Sequence, residues 1–159
     1  MTSAFAVETR TRLDETTVPA LVALIERATE HDGMRPLSEH VWLHLKEGGD
    51  EQGQHLIARD ATGRIVGYAH LDITDAVNGA SAEIAVDPAE RRHGLGRQLI
   101  DGLIASSPDG RLRLWAHGEQ AGAAELASSM GFSRARVLWQ MRRSLYAPLP
   151  RPLLPPGID

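Results

Sequence analysis

A chain of 159 residues, 42% of them apolar and with a net charge of −4, has the size of one globular domain. The acidic balance excludes wholesale nucleic-acid binding, which draws on a clear basic excess, and the absence of cysteine excludes disulfides, protein thiolate catalysis and cysteine-ligated metals. Met1 to Arg10 lacks the basic start and apolar run of a signal peptide, and no stretch approaches the roughly 20 apolar residues of a membrane span, so a cytoplasmic protein without a membrane partner is expected.

Phe5 to Leu13 alternates as a first strand does, and Asp14 or Thr17 can cap the helix that follows, with Pro19 tolerated in its first turn. Leu21, Leu24, Ile25 and Ala28 recur at helical spacing up to Asp32-Gly33. A second, shorter helix is expected from Ser38 to about Lys46, stopped by Gly48 and Gly49. His55 to Arg59 and Arg64 to Ile73 read as a hairpin turned at Asp60-Ala-Thr-Gly63, and Ser81 to Val86 as a further strand. Leu95, Leu99, Ile100, Leu103 and Ile104 form one stripe on a third helix, ended by Pro108-Asp109-Gly110. Leu112 to Ala116 reads as a strand, Ala121 to Met130 as a helix and Phe132 to Arg142 as a last strand. Trp42, Trp115 and Trp139 are assigned to the core or its margin. After Tyr146 five prolines fall close together, which divides the chain into a domain at 1–146 and an extended tail or linker at 147–159.

The segment from Ala85 to Ile100 carries the chemistry. A strand stops at Pro88, a basic loop holds Arg91, Arg92 and His93, Gly94 and Gly96 flank Leu95, and Arg97 lies in the first turn of the next helix. Glycines let a backbone approach a ligand closely, and the first N–H groups of a helix have no internal partner and face a positive dipole end. A phosphate or pyrophosphate fits that cradle. The alternative is a plain tight turn, although three arginines around one would repel each other without an anion. His40 and His44 stand four apart on one helix, but no HExxH pattern or third ligand accompanies them, so no metal is expected.

Arg91, Gly94 and Gly96 match the Gln/Arg-x-x-Gly-x-Gly/Ala pattern, and the strand before it, the helix after it and Gly131-Phe132 farther on complete the context. Together they resemble the GNAT superfamily of acetyl-coenzyme A-dependent N-acetyltransferases over residues 5–145. The resemblance implies an α/β fold of three layers, a mixed and mostly antiparallel central sheet with helices on both faces. A narrower resemblance, through Asp32-Gly33, Ser38-Glu39, Glu83-Ile-Ala-Val86, Arg91-Arg-His-Gly-Leu-Gly96, Leu114-Trp-Ala-His-Gly118 and Gln140-Met-Arg-Arg143, is to the N-terminal half of the mycothiol synthase family. That family resembles two GNAT units in tandem and acetylates the cysteinyl amine of a cysteinyl-glucosaminyl-inositol, so the partners implied are a small amine and a second GNAT domain or a homodimer.

The resemblance implies that the backbone of Ile84, Ala85 and Val86 pairs with the pantetheine arm of acetyl-CoA, and that Arg91, Arg92, His93, Gly94, Leu95, Gly96 and Arg97 form its pyrophosphate loop. Glu83 stands where the family often carries a base working directly or through water, and is otherwise a structural carboxylate; alternation sets Glu83 and Ala85 on one face and Ile84 and Val86 on the other. Glu39 is either an acceptor contact or a first-turn acid serving the helix dipole. The sequence departs from the family where Ala127 replaces the tyrosine that protonates the leaving thiolate and Gln120 the asparagine before it. His117 and Tyr146 could substitute geometrically, though packing or surface roles suit them better. These substitutions leave two readings: an acetyltransferase acting on a primary amine, or a degenerate GNAT module that holds acetyl-CoA beside an active unit.

Overall fold

A computed structural model describes residues 5–49, 51–146 and 148, so the proline-rich tail expected at 147–159 lies, Pro148 apart, outside the described residues. Five strands form one sheet in sequence order: β1 (Ala6–Arg10), β2 (Gly53–Arg59), β3 (Ile65–Asp72), β4 (Ala80–Val86) and β5 (Leu112–Trp115). The first four run antiparallel and β5 joins β4 in parallel. That single parallel pair needs a crossover, supplied by α3 (Leu95–Ser106).

Alternation along the strands divides the apolar side chains between two faces. On one face Leu95, Leu99 and Leu103 of α3 cover Leu56, Ala58, Ala69, Leu71, Ala80 and Ala82. On the other, α1 (Thr17–Asp32) and α2 (Glu39–Lys46) bring Leu21, Leu24, Ile25, Val41 and Leu45 onto Ile57, Tyr68 and Ala85. The result is the expected helix–sheet–helix sandwich. Asp14 accepts the N–H of Thr17 at 2.7 Å and caps α1, and the Ser38 hydroxyl accepts from Val41 at the start of α2, so both caps follow from side-chain chemistry legible in the sequence.

The apolar lining of the α2 face is interrupted. His55 on β2, Tyr68, His70 and Asp72 on β3 and Ser81 and Glu83 on β4 all point to that side, because His70 pairs with Glu83 and Asp72 with Ser81 across the ladder. His44 of α2 closes over them, its ring centroid 5.4 Å from that of His55 and 5.1 Å from that of His70. His55 Nδ1 and the Tyr68 hydroxyl lie 2.8 Å apart.

The expected last strand is absent: Phe132 to Arg142 forms no strand and is exposed beyond Phe132. An alternating pattern becomes a strand only where a sheet edge and a covering layer receive it. The helix before it, α4 (Ala121–Ser129), buries none of its residues, so no layer among the described residues encloses the far side of β5. Trp139, assigned from sequence to the core or its margin, is 82% exposed for the same reason. Trp42 does pack at the margin of the α1–α2 core.

Candidate active site

The pairing of β4 with β5 ends at Glu83 opposite Trp115. Ile84, Ala85 and Val86 continue β4, paired with Ala69, Tyr68 and Gly67 of β3, with no β5 residue opposite them. The sheet therefore opens a strand-shaped gap beside these three residues, where peptide groups face away from β3 without a strand partner among the described residues. Ile84 and Val86 pack toward α3 and Ala85 toward α1, the alternation expected from sequence. An extended amide-bearing ligand can add there as a strand would.

The basic loop begins where this gap ends. Asp87 starts a turn of 3-10 helix, Pro88–Glu90, by accepting from the Ala89 N–H at 3.1 Å. Only 3% exposed, Asp87 also pairs with Arg27 at 2.8 Å and Arg64 at 3.2 Å. Arg91 makes a bidentate pair with Asp32 at the end of α1, both bonds 2.7 Å long, and its Nε donates to the Val86 carbonyl at 3.3 Å. Hydrogen bonding from Arg91 holds the Asp32 carboxyl below the usual range despite its burial. The Arg91 guanidinium is thus engaged in fixing the loop to α1.

The remaining loop side chains are more open. Arg92 has φ +67°, the one non-glycine residue with positive φ among the described residues, and its guanidinium reaches Glu125 at 2.6 Å. Arg97 donates to the Ser129 hydroxyl at 2.8 Å, and His93 is exposed. The two glycines do different work. Gly94, at φ +87°, is the left-handed N-cap of α3, whereas a Cβ on Gly96 would lie 2.9 Å from Leu126 Cδ2 of α4. Leu95 between them is buried in the core. The first N–H groups of α3 have no partner within the helix and sit on an anchored loop with Arg92 and Arg97 nearby, which suits a bound pyrophosphate.

Glu83 occupies the joint between the gap and a cavity of about 90 Å³ lined by Ser38, His40, Val41, His70, Asp72, Ser81, Ala82, Glu83 and Trp115. Its Oε2 accepts the Ser38 N–H at 2.6 Å and lies 3.4 Å from His117 Nε2. Burial alone would raise the Glu83 carboxyl, but His117 and Ser38 hold it below its ordinary value, so it is ionised at neutral pH. His117, weighed from sequence only as a substitute acid, therefore belongs to the Glu83 site. Burial, reinforced by His44, lowers His70 to about 4 and keeps it neutral.

Glu39 is exposed in the first turn of α2 and does not line the cavity, although its neighbours Ser38 and His40 do. Tyr146 is 99% exposed. Ala127 lies on α4, where its carbonyl accepts the Phe132 N–H. Asp72, His70 and Trp115 were not picked out as site residues from sequence. The available signal was two polar alternations, His70-Leu71-Asp72 and Ser81-Ala82-Glu83, which antiparallel pairing sets side by side on one face. Among the described residues no group of side chains is arranged to hold a metal ion, and no helix is long and apolar enough to cross a membrane.

A mixed sheet that parts beside β4, followed at once by a basic, glycine-bearing loop and a helix, defines an acyl-CoA N-acyltransferase fold. The chain belongs to the GNAT acetyltransferase family, whose model, described as acetyltransferase (GNAT) domain, matches residues 51–134. It is 48% identical over 155 residues to the mycothiol acetyltransferase of Acidothermus cellulolyticus, spanning 96% of this chain and 47% of that protein. With the mycothiol acetyltransferase of Streptosporangium roseum it shares 50% identity over 152 residues, 96% of this chain and 44% of that one. The chain thus spans about half the length of these curated relatives. Among solved structures, a GNAT-family acetyltransferase of Staphylococcus aureus Mu50 superposes with a TM-score of 0.64 at 18% identity, over 82% of this chain and 87% of that one. AAC(6')-Iy in complex with the bisubstrate analogue CoA-S-monomethyl-acetylneamine superposes with a TM-score of 0.58 at 20% identity, over 87% and 99%.

Proposed function

We propose that this chain is an acetyl-CoA-binding unit of the mycothiol acetyltransferase type, which transfers acetyl from acetyl-CoA to a primary amine, the cysteinyl amine of a cysteinyl-glucosaminyl-inositol. The observation that carries this reading is the continuity of three features: the open edge at Ile84, Ala85 and Val86, the loop of residues 92–97 at its end, and Glu83 at its start beside a cavity. The gap takes the amides of pantetheine, while the N–H groups of the loop and helix with Arg92 and Arg97 take the pyrophosphate. Arg91 serves by fixing the loop rather than by touching the ligand. The acetyl group then lies near Glu83, where an incoming amine can reach the thioester carbonyl.

The amine nitrogen bonds to the carbonyl carbon, the carbon–sulfur bond breaks, and coenzyme A leaves as the thiolate and takes a proton. The ammonium loses two protons in becoming the amide, one of which ends on the thiolate, and for the other Glu83, directly or through water, is the nearest acceptor. Loss of the familial tyrosine at Ala127 is tolerable because a thiol with pKa of about 8.5 is a good leaving group at neutral pH. The twofold length of the relatives also fits a second GNAT unit or a second copy as a partner.

A second reading is favoured by two observations: Ala127 supplies no acid, and Glu83 is held below its ordinary pKa, which weakens it as a base. In that reading the unit holds acetyl-CoA while another unit performs transfer. Release of coenzyme A thiol by this chain alone, with the cysteinyl-glucosaminyl-inositol as acceptor, separates the two. Turnover abolished by Glu83→Gln supports transfer; acetyl-CoA binding without turnover supports the holding role.

A further inference from the structure

Three arginines gathered in one loop repel each other unless each has a partner, and the chain supplies one for each without a ligand. Arg91 takes Asp32 of α1 in a bidentate pair, Arg92 takes Glu125 of α4 at 2.6 Å, and Arg97 donates to the Ser129 hydroxyl of α4 at 2.8 Å. The partnerships differ in depth. The side chains of Arg91 and Asp32 are 30% and 8% exposed, whereas those of Arg92 and Glu125 are 75% and 62% exposed. Breaking a half-buried bidentate pair leaves a carboxylate away from water without its partner, but a pair open to solvent holds only weakly. Arg91 is therefore committed to the fold, and the bond of Arg92 is exchangeable.

The placement of α4 is as telling as the exposure. None of its residues is buried, and among the described residues its side chains reach the rest of the chain through two polar contacts, those of Glu125 and Ser129. These two stand four apart, hence on one face of the helix, and Leu126 on that side lies over Gly96, where an added Cβ would meet it at 2.9 Å. The helix thus sets a carboxylate and a hydroxyl on the two arginines assigned above to the pyrophosphate. We propose that Glu125 is an internal competitor of the coenzyme: its carboxylate holds Arg92 in the ligand-free chain, must be displaced by the pyrophosphate, and thereby sets the affinity for acetyl-CoA. This rests on the reading of residues 92–97 as the pyrophosphate loop. A pyrophosphate brings more charge and more acceptor oxygens than one carboxylate and also accepts from the first N–H groups of α3, so it wins the exchange. Before it arrives, Glu125 relieves the repulsion within the loop. Because the pair is exposed, its hold on the coenzyme affinity is modest, about two- to fivefold.

The test is titration calorimetry of the full chain with acetyl-CoA, comparing wild type, Glu125→Gln and Asp101→Asn. Asp101 is an exposed carboxylate of α3, and its variant removes the same charge without touching Arg92, so it reports the general effect of net charge. Glu125→Gln should bind acetyl-CoA about two- to fivefold more tightly than wild type, and Asp101→Asn should change the affinity less. The advantage of Glu125→Gln should shrink as salt is raised, since the pair it removes is open to screening. An affinity of Glu125→Gln equal to or weaker than that of wild type, a gain matched by Asp101→Asn, or an advantage indifferent to salt overturns the competitor. A wild-type chain that binds no acetyl-CoA overturns the coenzyme reading and the competitor with it, an outcome distinct from binding that Glu125→Gln leaves unchanged. Melting curves of the ligand-free proteins report separately on the folding of the variants.

Discussion

Arg91 and His70 illustrate how a residue's role depends on what faces it. In isolation Arg91 is one of three cations around a glycine loop, yet its guanidinium is bonded twice to Asp32. Asp32→Asn leaves a half-buried guanidinium with weaker partners and should cost about 1–3 kcal/mol in urea unfolding at pH 7. Because the folded Asp32 carboxyl titrates below its unfolded counterpart, its contribution is fully present above the ordinary aspartate range and is lost as pH falls through the folded value. The difference between variant and wild type should therefore shrink as pH falls through the folded Asp32 value. His70 behaves oppositely in sign of charge. With its folded pKa lowered to about 4 from 6.5 by burial and His44, the unfolded chain binds the extra proton between these values. Stability should be full above pH 6.5 and fall toward pH 4, by at most about 3 kcal/mol from this group. Denaturation curves of His70→Gln should have a shallower pH dependence over that interval, and identical slopes would remove His70 from the explanation. Asp72 and Glu83, both carboxylates near this ring, moderate the effect.

At the scale of elements, the loop between β4 and α3 depends on backbone geometry at one glycine and on packing at the other. Gly94 has open space around its missing side chain but a φ of +87°, so Gly94→Ala should destabilise by about 1–2 kcal/mol through strain alone. Gly96→Ala meets the flexible tip of Leu126 at 2.9 Å, which can turn aside, and gains helix propensity, so its cost in the same urea measurement should be the smaller. The opposite ranking would show that crowding at α4, not conformation, fixes the glycine pair. The loop, both N-caps and the strand–helix order were legible because each is written in local chemistry: Asp14 and Ser38 before helical stripes, glycines between a strand and a stripe. Phe132 to Arg142 was misread because a period of two records which residues could share a face, and the sheet does not extend to use it. The cavity was partly missed for the reverse reason, since His70 and Asp72 gain meaning only from register with Glu83 and Ser81.

For the whole molecule, the functional features lie along one line across the sheet. α3 anchors the loop of residues 91–97 from one face, α1 anchors the same loop through Asp32, and α2 covers the cavity that begins at Glu83. The gap at Ile84, Ala85 and Val86 joins loop to cavity, so in the function proposed above a coenzyme thioester laid along it would end where an amine enters. The chain that carries this arrangement spans about half the length of the related mycothiol acetyltransferases. The most direct measurement is the acetyl-CoA-dependent melting shift of the chain by calorimetry. The account predicts stabilisation that grows with ligand, reaching about 2.7 kcal/mol at one hundred times the dissociation constant, and its loss when Gly94→Asp and Arg92→Glu are combined. A wild-type chain whose melting is unmoved by acetyl-CoA, or a double variant that responds as wild type does, would contradict it.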